Sequence, residues 1–272
     1  MTVFNKGVYV ALVTPFTKDD NIDWKSLEIL LRFHKFHNTT GIILLGTTGE
    51  SPTLSEDEKK QIVKFVSENI SDMGLIVGVG GNNTKQVVEF TKYCNQYAQG
   101  LMVTVPNYNK PTQEGIYQHF KKISESTKLP IMMYNIPSRC SINMEYETVI
   151  KLYNDCNNIS AIKEASGSLS QIQDIMNNCD IKVYAGDDSQ LVPVMALGGY
   201  GVISVYANLN PAKVLICLDY CIQNNYPMAQ KTYFEYHNKV KELFVKSNPI
   251  NVKELLFHEK LITNKDCRLP LL

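Results

Sequence analysis

Eight short apolar, β-branched runs, each followed by an amphipathic stretch, constrain the fold of this chain more than any other feature. Helix-start signals open the amphipathic stretches, among them the capping box from Ser55 to Glu58 and the sequence Thr112-Gln-Glu. Strands that alternate with helices across short connections indicate right-handed βαβ units and a parallel sheet. The eight predicted strands are residues 8–13, 42–45, 75–79, 101–105, 131–134, 159–162, 181–185 and 202–205.

The chain length favours a closed barrel over an open parallel sheet. At 272 residues the chain is close to the roughly 250 residues that are typical of one closed barrel of eight βα units. We therefore predict a (β/α)8 TIM barrel over residues 1–210, with the closing eighth helix and a C-terminal helical extension of the same domain over residues 211–272. A doubly wound open sheet is the alternative architecture.

Charge and cysteine content indicate the setting in which the protein works. Lys plus Arg and Asp plus Glu number 27 each, so the balance does not suggest a basic surface for nucleic acid or an anionic membrane. The seven cysteines include no C-x-x-C pair and are typical of reduced, buried thiols. The N-terminal stretch MTVFNKGVYVALVTPF lacks a charged leader, and its apolar run is too short to span a bilayer. We expect a cytoplasmic protein with a small-molecule substrate.

Polar residues follow the predicted strands on one side of the barrel. Reacting groups in such barrels lie at the carboxyl ends of the strands and in the loops after them. Hydroxyl groups, one arginine and one lysine are therefore expected to meet on a single rim. The segments are GTTGES at 46–51, PNYNKP at 106–111, YNIPSR at 134–139, KEAS at 163–166, GDD at 186–188 and ISV at 203–205.

Lys163 is the strongest catalytic candidate, because it lies within a predicted strand. By the period of two, Ala161, Lys163 and Ala165 share one face and Ile162 takes the other. If that face is the barrel interior, desolvation lowers the lysine pKa and leaves free amine to attack a carbonyl. The spacing alone is equally compatible with a lysine that extends from the strand end into solvent.

Two further side chains on this rim have both a chemical and a structural interpretation. Tyr134 shares a strand face with Met132 and would place its phenol beside the amine, or it is an ordinary packing residue. Arg139 would hold a carboxylate through two hydrogen bonds, or it forms a surface salt bridge.

Metal and hydrolase chemistry are disfavoured by where the other candidates fall. Asp187 and Asp188 are interpreted as helix N-caps rather than cation ligands. His34 and His37 share a helix face and are predicted to be a solvated pair. We therefore expect no metal, and amine catalysis remains by elimination. All five histidines lie in predicted helices on the outside of the barrel, at positions 34, 37, 119, 237 and 258.

The rim segments, in this order, resemble the dihydrodipicolinate synthase and N-acetylneuraminate lyase family of pyruvate-dependent class I aldolases. The resemblance covers nearly the whole chain and extends to GGYGVISV at 198–205. It implies a barrel enzyme that needs no cofactor, because its covalent intermediate is a pyruvate imine on Lys163.

The resemblance also implies a role for each matching residue. Tyr134 would move protons, and Thr47 and Tyr108 would complete a hydroxyl relay, with Tyr108 reaching into the site of a neighbouring subunit of a homodimer or homotetramer. The residues expected to bind substrate carboxylate and carbonyl groups are Thr48, Gly186 and the backbone of Ile203 for pyruvate, and Arg139 for the second substrate.

Within the family the sequence favours the synthase branch, because Arg139 follows Pro-Ser and the second-strand loop reads GTTGE. The expected reaction is condensation of pyruvate with L-aspartate 4-semialdehyde to 4-hydroxy-tetrahydrodipicolinate, in lysine and diaminopimelate biosynthesis. The chain departs from the usual synthase pattern at Asn107, where an aromatic residue is common, and at Cys140-Ser141, where Thr-Gly is usual. A sugar-acid lyase and a non-catalytic barrel that only binds ligands are the alternatives.

Overall fold

A computed structural model describes residues 3–70 and 72–272, so the first two residues of the N-terminal stretch lie outside the description. Eight parallel strands form a closed barrel in the order in which they occur along the chain. This architecture confirms the predicted (β/α)8 barrel and excludes the open sheet. The strands are β1 (Gly7–Ala11), β2 (Gly41–Leu44), β3 (Gly74–Gly78), β4 (Gly100–Thr104), β5 (Ile131–Asn135), β6 (Ile159–Glu164), β7 (Lys182–Ala185) and β8 (Gly201–Ser204).

Closure depends on the seam between the first and last strands. Gly7 pairs with Gly201, and Tyr9 with Ile203, in parallel register. Gly201 has φ +140°, and a Cβ atom there would lie 1.9 Å from the Gly7 carbonyl oxygen. Only glycine therefore lets β8 approach β1 closely enough to close the sheet.

Helices cover the outside of the barrel after each strand, and two more follow the helix that closes it. The predicted caps are present: Ser55 and Glu58 form a reciprocal capping box, and the Thr112 side chain accepts a hydrogen bond from the Gly115 N–H. The helices are α1 (Trp24–Phe36), α2 (Glu56–Asn69), α3 (Thr84–Cys94), α4 (Gln113–Ser124), α5 (Pro137–Cys140), α6 (Tyr146–Asp155), α7 (Leu169–Asn178), α8 (Leu191–Ala196), α9 (Pro211–Ile222), α10 (Tyr226–Leu243) and α11 (Ile250–His258).

The predicted C-terminal helical part is present as helices α9, α10 and α11. Helix α9 closes the barrel against β1, and α10 packs along α9. Helix α11 and the segment after it return to the rim at which the strands end, where Lys253 and Arg268 bond to Glu50 in the loop after β2. Among the helices that the structure describes, none is both long and apolar enough to cross a bilayer.

The barrel interior is filled by side chains from alternating positions of the strands. Register places Tyr134 on β5, Lys163 on β6 and Tyr184 on β7 side by side, so all three point to the same face. Tyr184 contacts the Tyr9 ring edge-to-face with centroids 5.5 Å apart, which identifies that face as the inside. Lys163 is therefore directed inward.

Candidate active site

Lys163 lies inside the barrel near the carboxyl end of β6. Its side chain is buried, with 6% of the residue exposed, and its Nζ atom is 4.0 Å from the centroid of the Tyr134 ring. The small side chain of Ala161 is on the same strand face and leaves room around the lysine stem. The register between β5 and β6 thus brings an amine and a phenol ring together.

The interior setting changes the acidity of the Lys163 amine. Burial lowers its pKa from 10.5 to about 8, and the nearby Arg139 charge acts in the same direction. The carboxylates of Asp187 and Asp188 oppose this change, because they stabilise the ammonium form. About a tenth of the lysine is then uncharged at pH 7, which is enough amine for attack on a carbonyl group.

Tyr134 carries a proton that it holds tightly. Burial raises the pKa of its phenol, the charge of Asp187 adds to that rise, and a hydrogen bond with the Thr47 side chain partly offsets it. A neutral phenol beside an amine can donate a proton to a developing oxyanion and take one back through a hydroxyl. The structure thus brings Thr47, Tyr134 and Lys163 together.

A cleft of ≈ 470 Å³ opens at this rim and is lined by both Thr47 and Arg139. Arg139 belongs to the short helix α5, is solvent-exposed, and has no ion-pair partner among residues 3–70 and 72–272. Its guanidinium is therefore available to a ligand carboxylate. A larger cavity of ≈ 640 Å³, next to Arg268, contains none of the predicted site residues.

Tyr108 does not join this group within one chain. It lies in the loop after β4, in a left-handed conformation with φ +67°, and 89% of it is exposed. Its predicted role across a subunit interface stays a prediction.

The predicted pyruvate-binding residues have different surroundings. Thr48 is buried, and its hydroxyl oxygen accepts a hydrogen bond from the Asn248 amide at 2.9 Å. Ile203 is fully buried on β8. The Gly186 N–H donates to the Glu164 carbonyl oxygen at 2.7 Å, so this N–H already has a hydrogen-bond partner. A Cβ atom at Gly186 would lie 2.4 Å from the Ala165 Cβ. The geometry thus accounts for glycine at 186 by close packing of β7 against the end of β6.

Asp187 occupies the N-cap position of the turn Asp188–Gln190, as interpreted, whereas Asp188 is not the N-cap of that turn. Asp187 makes no side-chain cap bond to the turn that it precedes. The Asp188 carboxylate instead accepts hydrogen bonds from the Val205 and Tyr206 N–H groups and from the Ser204 hydroxyl, which caps the turn after β8. Burial raises the pKa of Asp187, and the Lys163 and Arg139 charges partly offset the rise. Asp187 is thus a charge partner of Lys163.

The predicted solvated histidine pair is also wrong. His34 is fully buried on the inner face of α1, where its Nδ1 atom lies 3.1 Å from the Thr39 hydroxyl. His119 is likewise buried, against the Thr84 hydroxyl. The helices are outside the barrel as expected, but their inner faces are core. Burial lowers the pKa of His34 to about 3, so it packs as a neutral ring.

A buried carboxylate network that the sequence did not reveal lies on the outer face of β5 and β6, the strands that carry Tyr134 and Lys163. Glu164 points outward from β6, and its two oxygens accept hydrogen bonds from the Asn135 amide at 3.2 and 3.1 Å. The Gln171 amide and the Ser166 N–H also donate to it, and burial raises its pKa. The signal available beforehand was a carboxylate directly after Lys163, at the end of a mostly apolar strand.

Known proteins with the same sequence pattern and fold share this arrangement of strands. The model of the dihydrodipicolinate synthetase family matches residues 5–272. A 4-hydroxy-tetrahydrodipicolinate synthase from Methanococcus aeolicus is 40% identical over 268 residues, which cover 98% of this chain and 92% of that protein.

Solved structures agree with this match. The dihydrodipicolinate synthase of Aquifex aeolicus is 37% identical, with a TM-score of 0.96 over 98% of this chain and 92% of that one. The chloride-inhibited enzyme of Acinetobacter baumannii, solved with pyruvate, is also 37% identical, with a TM-score of 0.95 and the same coverage. The chain belongs to the dihydrodipicolinate synthetase family.

Proposed function

We propose that this protein is a Schiff-base lyase that condenses pyruvate with L-aspartate 4-semialdehyde to 4-hydroxy-tetrahydrodipicolinate, a step of lysine and diaminopimelate biosynthesis. The observation that carries the proposal is the buried Lys163 amine, with a pKa of about 8 and the Tyr134 ring 4.0 Å away. Family membership and the synthase relatives support the choice of reaction.

The reaction begins when the Lys163 amine attacks the ketone carbon of pyruvate. A C–N bond forms and the ketone oxygen leaves as water, with protons delivered through Tyr134 and Thr47. The imine withdraws electrons from the adjacent methyl group, which loses a proton to give an enamine. Thr48, Gly186 and Ile203 are the residues that we assign to pyruvate.

The enamine carbon then attacks the aldehyde carbon of the second substrate and forms the new C–C bond, and the aldehyde oxygen takes up the proton that the methyl group lost and becomes the product hydroxyl. Arg139 is the residue that we assign to the carboxylate of that substrate, because its guanidinium faces the cleft without an ion-pair partner among the described residues. Ring closure by the substrate amine onto the imine carbon breaks the C–N bond to Lys163 and restores the free lysine. One water is released overall.

The same proposal covers the setting of the enzyme. No cofactor takes part, because the imine itself is the electron sink. We propose a cytoplasmic homodimer or homotetramer: the seven cysteines are free thiols, and the exposed Tyr108 needs a second chain to reach a site.

Borohydride trapping tests the Schiff base. Reduction in the presence of pyruvate should attach one adduct at Lys163, located by mass spectrometry after digestion, and Lys163→Ala should not be labelled. Lys182→Ala is the matched control, because Lys182 is also a strand lysine but bonds to the Phe4 carbonyl oxygen at 2.8 Å. Labelling at another lysine would refute the assignment.

A parallel assay distinguishes the reaction from its alternatives. With pyruvate present, aspartate semialdehyde should be consumed and N-acetylmannosamine should not. The opposite preference would identify a sugar-acid lyase, and no turnover of either aldehyde together with no trapping would identify a non-catalytic barrel.

A further inference from the structure

The C-terminal extension touches the loop that carries the proposed pyruvate-binding threonine. Asn248 lies between α10 and α11, and its Nδ2 atom donates to the Thr48 Oγ1 atom at 2.9 Å. Both residues are buried. No assigned step uses Asn248, yet it contacts a residue of the site directly.

This bond determines which way the Thr48 hydroxyl can act. An amide nitrogen only donates, so the Thr48 oxygen accepts from Asn248 and its own proton remains available for another acceptor. The Asn248 Oδ1 atom is buried and has no hydrogen-bond partner among the described residues. Folded proteins keep few such orphaned acceptors, because leaving one buried costs free energy. Fold stability alone therefore does not account for an asparagine here.

A second contact from the same extension fixes the loop itself. Glu50 adopts a left-handed conformation with φ +53° and is buried. Its carboxylate accepts hydrogen bonds from the Lys253 ammonium at 2.6 Å and from the Arg268 N–H at 2.9 Å. Both side chains of the Glu50–Lys253 ion pair are fully buried. A buried pair of this kind is costly to break, so the loop after β2 is held in one position.

We propose that Asn248 is a positioning residue, which orients the Thr48 hydroxyl so that it donates its proton to the carboxylate of the keto acid at Lys163. The Glu50–Lys253 pair keeps Thr48 within reach of that asparagine. The inference rests on the proposed function, in which pyruvate forms the imine and Thr48 binds its carboxylate.

The test compares Asn248→Ala and Asn248→Asp with wild type in steady-state kinetics. Without the amide donor the Thr48 proton is no longer directed, and we expect the KM for pyruvate to rise roughly tenfold, the scale of one hydrogen bond to a charged group. We expect kcat and the KM for the aldehyde to change much less. Asn248→Asp should raise the pyruvate KM further, because a carboxylate accepts the Thr48 proton and repels the pyruvate carboxylate.

A double-mutant cycle separates positioning from a general structural effect. In a Thr48→Val background, Asn248→Ala should leave the pyruvate KM unchanged, because there is no hydroxyl to orient. Asn251→Ala is the matched control: it removes a half-buried asparagine in α11 that bonds to the Glu242 carbonyl oxygen. Asn248→Asp, which is nearly isosteric, serves if Asn248→Ala does not fold, and circular dichroism establishes folding for each variant.

The outcomes for the inference and for the proposed function differ. The positioning role is overturned if Asn248→Ala and Asn248→Asp keep the wild-type KM for pyruvate. It is also overturned if Asn248→Ala raises this KM equally with and without the Thr48 hydroxyl. In both cases trapping at Lys163 remains positive. Absence of trapping in the wild-type protein overturns the proposed function instead.

Discussion

Two opposing effects determine the acidity of the Lys163 amine. Burial disfavours the ammonium form and lowers its pKa to about 8, whereas the carboxylates of Asp187 and Asp188 favour it. Asp188 is tied down by the backbone after β8, so Asp187 is the partner whose removal changes the charge with less effect on the fold. Substitution of Asp187 is therefore the simplest way to change the fraction of free amine at Lys163.

The pH dependence of imine formation tests this balance. The rate of imine formation with pyruvate should rise from pH 7 and level off above an apparent pKa of about 8, because only the uncharged amine attacks. In Asp187→Asn the ammonium loses a stabilising charge, so the Lys163 pKa should fall and the profile should move to lower pH. The rate is measured by stopping the reaction with borohydride at timed intervals.

Asp180→Asn is the control for this profile, since Asp180 is exposed and precedes β7 at the opposite end of the barrel. It should leave the apparent pKa unchanged. A shift to higher pH in Asp187→Asn would contradict the assigned charge interaction.

At the scale of elements, α1 shows how an outer helix becomes part of the core. Asp23 caps its first turn by accepting a hydrogen bond from the Ser26 N–H. Leu27, Leu30 and His34 lie on its inner face, one to two turns apart, and all are buried. The Nε2 atom of His34 has no hydrogen-bond partner among the described residues. Protonation of His34 would therefore place an unpaired charge in the core.

This burial predicts a loss of stability in mild acid. The pKa of His34 is lowered from 6.5 to about 3 in the folded protein. Between pH 6.5 and pH 3 the unfolded chain therefore binds a proton at His34 that the folded protein does not bind. The contribution to stability is complete above pH 6.5 and is lost as the pH falls toward 3. For this one group the loss between pH 7 and pH 5 is about 2 kcal/mol.

Guanidinium unfolding at pH 7 and pH 5 measures the effect. The free energy of unfolding of His34→Gln should fall less between the two pH values than that of wild type, by about 2 kcal/mol. His258→Gln, which replaces an exposed histidine, should follow the wild type. Equal pH dependence in wild type and His34→Gln would show that His34 becomes protonated without unfolding.

At the scale of the whole molecule, the site lacks one predicted group when a single chain is considered. Tyr108 is 89% exposed, more than any other large hydrophobic residue in the part of the chain that the structure describes, and its backbone is left-handed with φ +67°. An exposed tyrosine of this size is typical of an interface residue. We expect a second chain to bury Tyr108 and to complete the hydroxyl relay with Thr47 and Tyr134.

Mixed dimers test whether Tyr108 acts across an interface. Inactive Tyr108→Phe and inactive Lys163→Ala chains, refolded together, should regain part of the activity, because one site of each mixed dimer then has both intact groups. Tyr134→Phe mixed with Lys163→Ala is the matched control and should show no recovery, since both residues serve the same chain's site. Verified heterodimers of the first pair without activity would place Tyr108 outside the reaction.

Local sequence patterns were sufficient for the elements of this fold. Short apolar, β-branched runs identified all eight strands, and the caps at Ser55 and Thr112 marked helix starts, because these signals depend on residues that are close together in the sequence. The observed strands begin earlier than predicted at β1, β2, β3, β4 and β8, each at a glycine that pairs through its backbone. Side-chain hydrophobicity does not indicate that a strand begins at a glycine.

Contacts between distant residues were decided only by the tertiary structure. Lys163 could equally have faced solvent until barrel closure placed its strand face inside, and His34 had no local feature that separated a buried from a solvated ring. The bonds of Asn248 to Thr48 and of Lys253 to Glu50 join residues about 200 positions apart. Such pairs leave no periodic trace, because their proximity depends on how every intervening element packs. The sequence alone therefore determined the barrel and its candidate chemistry, while packing determined which groups surround the amine.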